Sequence, residues 1–143
     1  MTSDLYEEDF FEWTRRNAEL LRAGQLVQAD IEHIAEEIED MGKRDLRELN
    51  GYVLVLLIHL LKWELQPRRR SRSWESTILS QRIEIEGILE QSPSLRPKIG
   101  AHLAGNYEDA VRLAIIETGL PRSRFPGECP FTVERILNSE FLP

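Results

Sequence analysis

The chain carries a single cysteine, Cys129, among 143 residues. One thiol makes no internal disulfide and no zinc knuckle, so the sequence excludes both from the fold and points to a reducing, cytoplasmic setting. A long apolar run is also missing. Tyr52 to Leu61 is the most apolar stretch, interrupted by His59, and even carried on to Leu65 it falls short of the roughly 18 residues a membrane span requires. The opening Met-Thr-Ser-Asp-Leu-Tyr-Glu-Glu-Asp reverses the basic-then-apolar order of a secretory signal, so no targeting segment is expected. No stretch alternates apolar and polar residues long enough for a strand, and there is no internal repeat or low-complexity tract. Positive charge is short as well: 18 basic residues stand against 25 acidic ones, for a net charge of −7. Such a molecule repels polyanions, so neither nucleic acid nor an anionic membrane is an expected partner.

What the sequence does have is helical period. Phe10, Trp13, Ala18 and Leu21 recur at helical spacing after Asp9, and Gly24 supplies a stop. Asp30 is a natural N-cap for a second pattern: Ile31, Ile34, Ile38, Met41, Leu46, Leu49, Val53, Leu56, Leu60 and Trp63. Its phase survives Gly42, which predicts one long or gently kinked helix over 31–66 that Pro67 ends. After the basic connector Arg68 to Arg72, Ser73 is the expected cap of a helix with Trp74, Ile78, Ile85, Ile88 and Leu89 on one stripe. Ser92 and Pro93 are the expected N-cap and first residue of a helix over 94–118, closed by Gly119. Residues 119–143 hold four prolines and one helical stretch around Val133 to Asn138, and are expected to strap across the rest. The expectation is an all-α, antiparallel bundle of about four main helices with a short C-terminal helical strap, 1–143 forming one domain.

Eight short segments carry a resemblance. They are Tyr-Glu-Glu-Asp-Phe with Trp13 (6–13), Ala-Glu-Glu-Ile-Glu-Asp-Met-Gly (35–42), His-Leu-Leu-Lys-Trp (59–63), Ser-Arg-Ser-Trp (71–74), Gln81-Arg82, Ser-Pro-Ser-Leu (92–95), Glu-Thr-Gly-Leu-Pro (117–121) and Cys-Pro-Phe-Thr (129–132). In this order they resemble a bacterial family of unknown function, domain-of-unknown-function family number twenty-nine, over nearly the whole chain. The resemblance implies a compact helical protein and carries over no activity, ligand or catalytic residue.

Two groups of residues merit weighing as sites. Asp30, His33, Glu36 and Glu37 form an acidic face with one histidine, the start of a carboxylate-histidine metal site. A di-iron bundle needs a second Glu-x-x-His unit, which is missing, and a solvated charged face is the plainer reading. The same acidic stretch is similar to the magnesium helix of all-α nucleotide pyrophosphohydrolases, but no second helix with Glu and Asp spaced to complete a magnesium site follows within the next thirty residues. His33 and His59 lie 26 residues apart on one predicted helix, about 39 Å at 1.5 Å per residue, too far to share an ion. Cys129 lies between Glu128 and Pro130, an acidic setting that makes a poor nucleophile.

The second group is a polar layer. Gln81 or Arg82 fills the turn between Ile78 and Ile85, so a polar residue interrupts a buried stripe. Antiparallel hairpins set His59 level with Gln81 and bring His102 close, so His59, Gln81, Arg82, His102 and Tyr107 form the candidate layer. It either fixes helix register or lines a small-molecule pocket. Arg82 must meet a carboxylate or several neutral acceptors, the candidates being His59, Gln81, Glu36 and Glu37. Arg68, Arg69, Arg70 and Arg72, with Trp74 beside them, are read as partners of the acidic stretch within or between subunits, not as a nucleic-acid site. No catalytic residue, metal or cofactor is assigned. The expected role is protein interaction or self-association, with an enzyme built on the polar layer as the alternative.

Overall fold

The computed structural model describes residues 3–143, with side chains from Leu5 onward. Every regular element among the described residues is helical: α1 (Ser3–Glu8), α2 (Phe10–Arg22), α3 (Ile31–Leu65), α4 (Arg72–Gln91), α5 (Arg96–Thr118) and α6 (Val133–Leu137). None is long and apolar enough to cross a membrane. The chain divides into two compact units, Met1–Arg44 and Asp45–Pro143.

In the first unit, Asp9 caps α2 by accepting the Glu12 N–H at 3.0 Å, and Gly24, at φ +73°, turns the chain after its end. Glycine takes that left-handed conformation without a Cβ clash. The helix before it, α1, escapes a periodicity reading because six residues hold too few apolar positions to show a phase. Trp13 and Asn17 are the buried residues of α2, whereas Phe10 and Leu21, expected on its apolar stripe, are exposed. α3 runs through Gly42 unbroken, as the preserved phase predicts.

The second unit holds the apolar core. From Leu49 to Leu61, α3 contributes Leu49, Val53, Leu56, Leu57, Leu60 and Leu61, and these pack with Ile78 and Ile85 of α4 and Ile99, Tyr107 and Val111 of α5. Each fully buried Leu or Ile contributes roughly 1.5–3 kcal/mol. Asn106 donates to Asn50 at 3.0 Å and Lys62 pairs with Glu117 at 3.0 Å, so α5 runs in the same direction as α3. α4, joined to each by a short connector, therefore runs the opposite way. Residue numbers rising together along α3 and α5 are what an up-down-up arrangement requires.

Two boundaries differ from expectation. Ser71, not Ser73, caps α4, accepting the Trp74 N–H at 3.2 Å, because the tight turn Pro67–Arg69 ends early enough for the helix to begin at Arg72. Pro93–Leu95 forms a separate tight turn, so the next helix starts at Arg96. Gly119, at φ +73°, ends it as expected. The strap is a wall of the core and not a surface addition: Phe125, Phe131 and Ile136 are all buried in it.

Candidate functional site

Arg82 is the one buried charge of α4, only 5% exposed between Ile78 and Ile85. Its partners are neither His59 nor Gln81 nor an acidic side chain. Nε donates to the Ile136 carbonyl at 2.8 Å, one terminal nitrogen to Phe141 at 2.8 Å, and the other to Arg135 at 3.2 Å. Burial pulls the guanidinium pKa below its ordinary value, and three carbonyl dipoles answer the charge that remains. The Tyr107 hydroxyl likewise donates to the Pro126 carbonyl at 2.6 Å, with burial pushing its pKa up to about 12. Two buried polar side chains therefore hold the strap by its backbone.

The remaining members of the expected layer do not join them. His59 bonds through Nδ1 to the Val55 carbonyl of its own helix at 2.9 Å, and His102 is exposed. Gln81 Oε1 is buried without a hydrogen-bond partner. No hydrogen bond links any two of the five among the described residues. A surface concavity of about 350 Å³ does lie beside Arg82, with Ile85, Leu89 and Leu137 as its apolar lining and Glu86, Glu90 and Arg96 as its charges. Arg70 donates to the carbonyls of Trp63 and Pro143 and lies over the Trp63 ring, while Lys62 covers Trp74. The aromatic beside the arginine cluster is thus occupied internally. Cys129 donates to the Phe131 carbonyl at 3.4 Å, and burial pushes its thiol pKa up.

In the first unit, Asp30 is the hub. Its carboxylate accepts Trp13 Nε1–H at 3.0 Å and the His33 ring Nδ1 at 2.7 Å, and its backbone N–H donates to Asn17 Oδ1 at 2.8 Å. Tyr6 stacks on the His33 ring with centroids 3.9 Å apart and donates its hydroxyl to Glu37 at 2.5 Å. The expected solvated acidic face is corrected for three of its four members, because Asp30, His33 and Glu37 fasten α1 and α2 to α3. Glu36 alone is exposed. Among the described residues no group of three or more His, Cys, Asp or Glu is placed to hold a metal ion. Asn17, four residues from Trp13 on the buried face of α2, is a polar interruption of the same kind as Arg82. That signal was available in the sequence and points to this network.

Charge and exposed apolar surface are both concentrated in this unit. Residues 1–44 hold twelve acidic and five basic residues, residues 45–143 thirteen of each, so the whole net charge of −7 falls in the first unit. Ile31, Ile34, Ile38 and Met41 are spaced 3, 4 and 3 apart, the a and d positions of two heptads. Ile31 is 50%, Ile38 64% and Met41 58% exposed. Eighteen residues further on, five full turns at 3.6 residues each, Leu56 occupies the phase of Ile38 and is fully buried.

No curated protein and no solved structure matches the chain. The segments that resemble the family run from Tyr6 to Thr132, and a family model described as "Domain of unknown function DUF29" matches residues 5–142, so the chain belongs to that family.

Proposed function

We propose that the protein acts by binding protein, without catalysis, through the exposed apolar stripe of α3. One observation carries the reading: a heptad-spaced stripe that is core in 49–61 lies open in 31–41. Exposed large apolar residues in register on one helix mark an interaction surface far more than scattered ones do. The single cysteine supports a cytoplasmic setting, and the family resemblance a bacterial one. The partner is either another protein or a second copy.

A photo-reactive residue placed at position 38 in the native cell tests this, with exposed position 98 of α5 as the control. A protein adduct at 38 that disappears on Met41→Ser, with none at 98, is the expected result. Equal labelling at the two positions would remove the reading. A second reading rests on the concavity beside Arg82, whose size and mixed lining suit a small amphipathic molecule. Mass spectrometry of small molecules retained by the purified native protein tests it, the expected species being lost when Leu89→Glu fills the concavity.

A further inference from the structure

Charge identifies the occupant of this stripe. We propose that Ile31, Ile34, Ile38 and Met41 receive a basic amphipathic helix from another protein, an inference that rests on the protein-interaction reading above. On one side of the stripe stand Ala35 and Gly42, and a Cβ added at Gly42 would meet nothing within 4 Å. Small residues at that edge let a second helix axis come close. Beyond them, Glu32 and Glu39 are exposed, and Glu37 borders the other side. A helix lying in this seam brings its own flanking positions to those carboxylates, where lysine or arginine is attracted and acid is repelled.

The same charges argue against a second copy. Matching the four apolar positions to those of another α3, parallel or antiparallel, sets the acidic stretch 30–40 against itself. In the antiparallel case, with 31 opposite 41 and 34 opposite 38, Glu37 faces its own counterpart. Like charges so placed destabilise the pairing. An anionic membrane, the other usual taker of an apolar stripe, is repelled by the −7 charge of the first unit. What remains is a partner that is apolar on one face and positive at its edges, in the helix-in-groove manner of recognition.

The test uses the full chain and three labelled synthetic peptides of about 21 residues, long enough to be helical when bound. The first has Leu at a and d and Lys at e and g, the second replaces each Lys by Glu, and the third reorders the first so that its apolar residues share no face. Fluorescence anisotropy is expected to give micromolar binding of the first peptide and binding at least roughly tenfold weaker of the other two. Ile38→Ser with Met41→Ser should weaken the first peptide by at least about tenfold, and Glu32→Gln with Glu39→Gln by about threefold, less as salt rises. Thermal melting of each variant checks that it stays folded. Equal binding of the Lys and Glu peptides, or of the ordered and reordered ones, overturns the inference. A chain dimer in light scattering that Ile38→Ser dissolves also overturns it, by showing that the occupant is a second copy. If position 38 traps a protein in the cell while no peptide binds, this inference fails and the protein-interaction reading stands.

Discussion

The two units solve the same problem in opposite ways. Residues 45–143, with acidic and basic residues in equal number, bury their apolar stripes and meet two buried polar side chains with backbone: Arg82 and Tyr107 both donate to carbonyls of the strap. Residues 1–44 carry all the net charge and eight of the thirteen exposed large apolar side chains found among the described residues, in under a third of the chain. Their interior is a small polar and aromatic knot around Asp30. Apolar periodicity alone thus does not distinguish a core from an exposed stripe.

Paired substitutions on α3 test that contrast most strongly. Leu56→Ala should cost about 3–4 kcal/mol by urea unfolding, whereas Ile38→Ala, five turns away in the same phase, should change stability by less than about 0.5 kcal/mol. Equal costs would mean that the two halves of the stripe are alike after all. Next in size, Arg82→Ala removes the donors from three strap carbonyls, that of Ile136 buried and those of Phe141 and Arg135 partly so, and should cost about 3 kcal/mol. The signature of that loss is faster amide exchange in 133–141. An unchanged melt would show that the guanidinium does not hold the strap. Tyr107→Phe removes one hydrogen bond and should cost only about 1 kcal/mol, read from the same unfolding curves.

The smallest effect separates the units by pH. The hydrogen bond that the His33 ring donates to the Asp30 carboxylate raises the His33 pKa, although burial opposes it, and Glu36 and Glu7 add to the rise. A raised histidine contributes fully below its unfolded value of about 6.5, and that contribution is lost as pH climbs through the folded value. For Asp30, burial pushes the pKa up, but the bonds from His33 and Trp13 outweigh it and leave it lowered. Its contribution is present above about pH 3.9 and lost as pH falls through the folded value. The knot should therefore be tightest between roughly pH 4 and 6.5, seen as the slowest solvent exchange of the Trp13 indole proton. A flat exchange profile across that range would remove His33 and Asp30 as its fastening.

Helix stops and starts were legible where the chemistry is local. Asp9, Gly24, Pro67 and Gly119 each act through their own cap or backbone geometry, and the structure places the boundaries at or beside them. Choosing between Ser71 and Ser73 required the length of the turn at Pro67–Arg69, which no side chain announces. Arg82 was visible as a break in an apolar stripe, yet its acceptors were not. They belong to backbone in a proline-rich segment with no period, and carbonyls carry no sequence signal. His59 and His102 illustrate the converse: level on a hairpin count, they bond within their own helix or lie exposed. The acidic face read as solvated because Tyr6 and Trp13, which cover it, come from elements whose approach periodicity does not show.

The strap is made after every helix it closes. During synthesis α4 and α5 emerge while Phe125, Phe131, Ile136 and the carbonyls that receive Arg82 are still to be translated. Until they arrive, the nascent bundle carries an unanswered guanidinium and an open apolar wall, the kind of surface that chaperones bind. Arg82 reads carbonyls alone, so its three hydrogen bonds make no demand on the side chains at 135, 136 and 141, which are set by their own packing. The contact therefore reads the path of the chain, and the side chain it needs for its own hydrogen bonds is the one at position 82.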